Sequence, residues 1–276
     1  MNITASQVKE LRDATNVSMM DCKRALQESE GDMDKAVKLL RERGMAVAAK
    51  KATRTAKNGK IAAKVSDDGK VGSMIEINCE TDFVTRNEVF QAFVVEMNDK
   101  AIDVEDPAET FKDEITAKIA EIGENIILRK SEKFIAEKGA VASYIHMGGT
   151  VGVLVEFEFD KPETATSEVF KELGLDICLH VAAANPTALD RSGISEELVN
   201  DEKALFAKQV EGKPENIVEG ILKGKLNKFY SQICLLEQGF VKEDKISITE
   251  LLEAKGKELG DTITIKRYTR WQLGDA

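Results

Sequence analysis

The chain has no apolar run approaching the roughly 18 residues that cross a bilayer. Its first residues, Met1-Asn2-Ile3-Thr4, carry no signal-peptide pattern. Both absences point to an intracellular, cytoplasmic protein with no membrane partner. Cysteine is scarce: Cys22, Cys79, Cys178 and Cys234 are scattered and form no C-x-x-C pair, and only His146 and His180 could complement them. Buried, reduced thiols are expected, with a zinc site or a Cys/His nucleophile as the alternative. Gly148-Gly149-Thr150 lacks the Lys and the spacing of a Walker loop, so direct nucleotide binding is not expected. Asp67-Asp68-Gly69 reads as turn chemistry rather than a calcium loop. Neither histidine has a recognisable acid, base or nucleophile partner, so no enzyme, cofactor or metal is expected. A net charge of −10 disfavours general affinity for nucleic acid.

What is present is a chain of 276 residues, 42% hydrophobic and 32% charged, enough for one large domain or two to three small ones. Residues 3–43 read as three short helices. Thr4-x-x-Gln7 resembles a capping box, with Val8, Leu11 and Ala14 following at helical spacing. Ser18-x-x-Asp21 opens the second helix, with Met20, Ala25 and Leu26 inward. Gly31 breaks it, and Asp32 caps a third that carries Ala36, Val37, Leu39 and Leu40 and ends at Gly44. Met19-Met20 suits either an adaptable binding surface or core filling. Residues 46–58 form a basic helical linker that includes Lys50, Lys51, Arg54 and Lys57. RNA binding is one reading of it, but no aromatic is interleaved to stack on bases.

From Gly59 onward the chain repeats with an offset of 80: Val71-Gly72 recurs as Val151-Gly152, Gly59 as Gly139, Glu76 as Glu156, and Glu88-Val89-Phe90 as Glu168-Val169-Phe170. Each unit reads as strand, glycine-containing turn, strand, loop, helix. The fold class is therefore α+β: an N-terminal three-helix domain (1–45), the linker, and a duplicated core of subdomains 59–138 and 139–276. Ala108 to Ile122 reads as a helix, Gly123 as its C-cap, and Glu124 to Ile135 as a strand. Asn185-Pro186 stops the helix containing His180. An antiparallel coiled-coil hairpin, 194–236, turns at Gly212-Lys213-Pro214, and a short helix and an edge strand close the chain.

The repeat also weighs one side chain. The connection Thr81-Asp82-Phe83-Val84 lies between strand Val71–Ile77 and a helix capped by Asn87, with Val89, Phe90, Phe93 and Val94 on one face. Alone, it slightly favours an aromatic tucked under a loop over one held out for a partner. Its counterpart in the second copy is Lys161-Pro162-Glu163-Thr164, so Phe83 corresponds to Glu163. The scaffold does not need a buried aromatic there, which shifts the reading to a displayed Phe83.

Several stretches resemble the translation elongation factor Ts family. They are Val8-Lys9-Glu10-Leu11-Arg12 with Met19-Met20-Asp21-Cys22-Lys23, Asn78 to Val84, Ile122-Gly123-Glu124-Asn125, and His180-Val181-Ala182-Ala183. The resemblance implies a UBA-like N-terminal domain and a partner, elongation factor Tu, in GDP-bound and nucleotide-free forms. It implies that Phe83 wedges between helices of that GTPase, that Asp82 supports the contact, and that Thr81 to Val84 dislodge its Mg²⁺. It adds Ile122, Gly123 and His146 at the same interface, and Met19 and Met20 on the N-terminal side. Some members continue into a further helix beyond the position of Gly274-Asp275-Ala276, which puts that contact in doubt here. The alternative reading is a non-catalytic adaptor that uses the N-terminal helices and the hairpin.

Overall fold

The computed structural model describes residues 3–15, 17–210 and 215–275. Helices α1 (Ala5–Thr15), α2 (Met19–Glu28) and α3 (Met33–Lys51) start where local caps start them. Thr4 and Gln7 bond reciprocally at 3.0 and 3.3 Å. The Ser18 and Asp32 side chains accept from the backbone N–H of Asp21 and Lys35. Val8, Leu11, Cys22, Ala25, Leu26, Ala36 and Leu40 make a small core. Met20 and Val37 are exposed, not inward.

Gly44 does not end α3. The helix runs through it to Lys51, across part of the stretch expected to be linker. Gly44 is buried, and a Cβ there would sit 3.5 Å from Ala120 Cβ. Its smallness serves a helix crossing rather than a stop.

Strands β1 (Asn58–Val65) and β2 (Val71–Cys79) form a hairpin, followed by one-turn helix α4 (Asp82–Thr85) and helix α5 (Glu88–Ala101). Next come α6 (Pro107–Thr110), α7 (Lys112–Ile122) and β3 (Ile126–Ile135). The expected helix 108–122 is interrupted at Phe111, which is buried with Phe93 and Ile119. The second unit has β4 (Ala140–His146), β5 (Val151–Glu158), a 3₁₀ turn (Pro162–Thr166) and α8 (Glu168–Ala184). After α9 (Glu196–Gln209), α10 (Glu215–Ile233), β6 (Gly239–Phe240) and β7 (Glu243–Ser247) come α11 (Ile248–Leu259) and β8 (Thr264–Gln272).

Two three-stranded antiparallel sheets result, ordered β1-β2-β3 and β4-β5-β8, beside the small β6-β7 pair. One face of each packs on its own helix. Ile75 and Ile77 meet Phe90, Phe93 and Met97, while Val153, Val155 and Phe157 meet Phe170, Leu173 and Ile177. Val89 is exposed, unlike Phe90, Phe93 and Val94. The opposite faces meet each other through Ile61, Met74, Phe134, Val141 and Leu154. Central strands β2 and β5 are covered on both faces and are buried almost end to end, polar Ser73, Glu76, Asn78 and Glu156 included. The repeated Val-Gly pair follows from this stacking: a Cβ on Gly72 would lie 2.5 Å from Val141 Cγ1.

The repeat extends further than its first offset. Ile122-Gly123-Glu124 recurs as Leu259-Gly260-Asp261, and Leu128 pairs with Ile77 as Ile265 pairs with Phe157. Here the offset is 137 (260 − 123), because the segment carrying α9 and α10 adds 57 residues (137 − 80) to the second copy. Strand β8 is thus the counterpart of β3. Both sheets bulge at the same place, after Glu76 and after Glu156.

Helices α9 and α10 run in opposite directions: Val199 lies with Tyr230 in one apolar cluster, and Lys225 sits over Phe206 and bonds Gln209. The expected turn at Gly212-Lys213-Pro214 lies outside the described residues.

Candidate functional site

Residues 81–84 are not a loop. Asp82 to Thr85 make one helical turn, entered from an extended Thr81. Successive residues on a helix point about 100° apart, so neighbours diverge. Val84 is buried against the α5 core, while Phe83 is 79% exposed. Leaving a Phe out of the core forgoes about 2 kcal/mol, so the turn must be held by other means.

Those means are polar. The Glu124 carboxylate, at the entry to β3, accepts from Glu80 N and Thr81 N at 3.0 Å each and from Thr81 Oγ1 at 2.7 Å. In return Glu80 Oε1 accepts from Asn125 N at 2.6 Å. The Glu80 carbonyl accepts from Asn58 Nδ2 at 2.8 Å, and Asn125 Nδ2 donates to Arg54 O. Beyond the turn, Gln91 Nε2 donates to Thr85 O, and Asn87 caps α5 as its sequence position predicts. Asp82 pairs with Arg86 at 3.0 Å, both exposed. Cys79, at the base of the turn, has its thiol pushed up to about 12 by burial, with Glu124 adding to the shift. It is a structural thiol, and all four cysteines are buried.

Gly123 ends α7 in the left-handed region, φ 85°, where a Cβ would meet nothing within 4 Å. Only backbone conformation demands glycine there. Its carbonyl accepts from Lys51, so the basic end of α3 is tied to this corner. Ile122 is half-buried against the α5 core. The fold thus brings Thr81 to Val84 together with Ile122 and Gly123, with Glu124 as the joint.

His146 is exposed at the end of β4, its Nδ1 2.9 Å from the Tyr144 hydroxyl. The following turn holds Met147 at φ 46° and 76% exposed. It rests on β1, where Ile61 N donates to Gly149 O at 2.8 Å. Met19 and Met20 are exposed on α2, and none of the hydrogen bonds above reaches them. His180 is a core residue: Val241 N donates to its Nδ1 and its Nε2 faces Gln238 Oε1. Among the described residues no cluster of three or more His, Cys, Asp or Glu could hold a metal, and no helix is long and apolar enough to cross a membrane. A cleft of about 380 Å³ between α3 and α7, lined by Leu40, Gly44 and Ala120, includes none of residues 80–84. The feature around Phe83 is a projection, suited to another macromolecule's groove.

A family model described as "Elongation factor TS" matches residues 80–275. The chain is 44% identical to elongation factor Ts of Trichlorobacter lovleyi over all of this chain and 94% of that protein. It is 45% identical to that of Clostridium perfringens (99% and 93% covered) and 44% to that of a Nitratiruptor species (100% and 94%). The chain belongs to the elongation factor Ts family.

The match to the elongation factor Ts family opens at Glu80, the first residue of the clasp that carries Phe83. From sequence, Thr81, Asp82, Phe83 and Val84 stand as a group, with Ile122 and Gly123 joined to them by resemblance, but Glu124 reads only as the start of a strand. The signal that would have marked Glu124 is its recurrence as Asp261, hidden by the shift of offset from 80 to 137.

Proposed function

We propose that the chain binds elongation factor Tu carrying GDP and speeds release of that GDP, so that GTP can load. The observation that supports this best is Phe83, a large apolar ring held outward on a clasped helical turn. Mg²⁺ in a GTPase bridges protein and phosphates and tolerates little departure from octahedral geometry. A ring driven between two helices of the GTPase shifts a coordinating element. The phosphates then lose their cation and GDP leaves. Asp82, beside the ring and paired with Arg86, orients the turn against the partner. Val84 acts from within, as the anchor against which the ring can push.

Ile122, Gly123 and His146 extend the same contact, and exposed Met19 and Met20 provide an adaptable second one. Helices α1 to α3 form a UBA-like module. Helices α9 and α10 form a coiled-coil arm that bears on a different face of the partner. Coupling is reciprocal: a factor that weakens nucleotide binding is itself weakened by nucleotide. Incoming GTP therefore ejects the factor, and exchange is accelerated by binding alone.

Titrating the chain into elongation factor Tu loaded with fluorescent GDP tests this. GDP release should accelerate with factor concentration and saturate. A release rate independent of factor concentration contradicts the reading.

A further inference from the structure

We propose that Glu124 is a positioning residue for exchange: its carboxylate clasps the entry to α4 and so fixes the direction in which Phe83 projects. The proposal rests on the exchange reading above. Thr81 occupies the N-cap position of α4, yet its side chain makes no capping bond to the helix. Its hydroxyl is committed to Glu124 Oε1 at 2.7 Å, while Glu124 Oε2 takes the N–H groups of Glu80 and Thr81. A helix of one turn has almost no stability of its own. What sets its axis is where its first residue is tied, and that tie comes from the start of β3, 43 residues further on.

The second copy supplies the contrast. Asp261, at the matching place before β8, accepts from Asp160 N, Lys161 N and Thr164 Oγ1 at 3.2, 3.0 and 2.6 Å. The backbone arms are equivalent in the two copies, and the hydroxyl arm is not. Thr164 corresponds to Val84, so in the second copy the carboxylate reaches the inward residue of the turn and pulls the turn down on itself. In the first copy it holds the residue before the turn, Val84 anchors by burial, and the outward residue stays free to project. One clasp chemistry thus secures a closed 3₁₀ turn in one copy and a presenting α-turn in the other.

Glutamine at 124 keeps the function: its amide oxygen accepts the two N–H groups and its NH₂ donates to Thr81 Oγ1, a hydroxyl able to accept. Alanine removes all three arms. The test measures GDP release from elongation factor Tu at saturating factor. Glu124→Ala should lower the maximal rate at least tenfold (about 1.4 kcal/mol), with a smaller change in the concentration giving half-maximal rate. Glu124→Gln should stay within about threefold of the wild-type chain, since only the arms' chemistry matters. In a Phe83→Ala background, Glu124→Ala should add almost nothing, because the clasp acts through the ring. Asp261→Ala should lower thermal stability while leaving the rate within about twofold, as its turn presents nothing.

A Glu124→Ala rate equal to wild type, a loss that adds fully to Phe83→Ala, or a Glu124→Gln as slow as Glu124→Ala overturns the positioning role. If Glu124→Ala does not fold, Thr81→Val carries the test by deleting only the hydroxyl arm. A rate loss of at least about threefold supports the proposal, and no loss overturns it. A wild-type chain that fails to speed GDP release overturns the exchange reading instead, whatever the variants do.

Discussion

Gly152 faces Ile61 across the stacked sheets so closely that a Cβ on Gly152 would stand 2.5 Å from Ile61 Cγ2. Met74 Sδ, at 2.7 Å, closes the other side. The repeated glycine is a spacing requirement between two halves of one core, in strand backbone that any residue could adopt. Gly152→Ala should therefore destabilise the protein by about 1–3 kcal/mol through overpacking. Gly224→Ala, in α10 where a Cβ meets nothing within 4 Å, should be neutral or stabilising by up to about 1 kcal/mol. Urea midpoints of the two variants, compared with the parent, check both signs.

The two buried carboxylates of the repeat should differ in their sensitivity to neutralisation. Glu156 receives Lys266 at 3.0 Å and Arg267 at 2.6 Å, whose other side faces Phe134 of the first sheet. Glu76 has only Arg129, at 3.8 Å, and neither oxygen has a hydrogen-bond partner among the described residues. Glu156→Gln should cost about 1.5–3 kcal/mol by weakening charge-assisted bonds. Glu76→Gln should be neutral or stabilising, because it removes a poorly compensated buried charge. Chemical denaturation at neutral pH decides between them, and equal costs would contradict the difference in pairing.

His180 should make stability depend on pH. Burial depresses its pKa below the ordinary 6.5, only partly opposed by the bond to Gln238. Protonating Nδ1 would also remove the acceptor used by Val241 N. The folded state therefore holds a neutral ring, while the unfolded chain takes up a proton below about pH 6.5. The stabilisation is present above pH 6.5 and is lost as pH falls from there toward the lower folded-state value. Urea midpoints measured from about pH 7.5 down to about pH 5.5 should fall more steeply for the parent than for His180→Gln. Parallel slopes would show that His180 does not carry the effect.

Features fixed by neighbours within a few residues were legible in the sequence. Ser18, Asp32 and Asn87 cap helices because an oxygen two or three positions ahead of a free N–H is a local matter. Gly123 and Asn185 end helices in left-handed backbone for equally local reasons. Two misreadings of helix extent depended on distant chain. Gly44 resembles a stop until α7 is laid across it, and Phe111 resembles helix interior until the α5 core draws it in. Phe83 was legible as displayed because its duplicate dispenses with it. The helical form of its turn was not, and the carboxylate that ties the turn's entry residue, Thr81, lies 43 residues further on.

The most direct measurement is stopped-flow release of fluorescent GDP from elongation factor Tu at saturating factor, comparing Phe83→Ala with Glu163→Ala. The wedge role of Phe83 predicts that Phe83→Ala retains the fold by circular dichroism and slows release at least tenfold (about 1.4 kcal/mol), while Glu163→Ala matches the parent. An undiminished rate for Phe83→Ala, or an equal defect for Glu163→Ala, would contradict it.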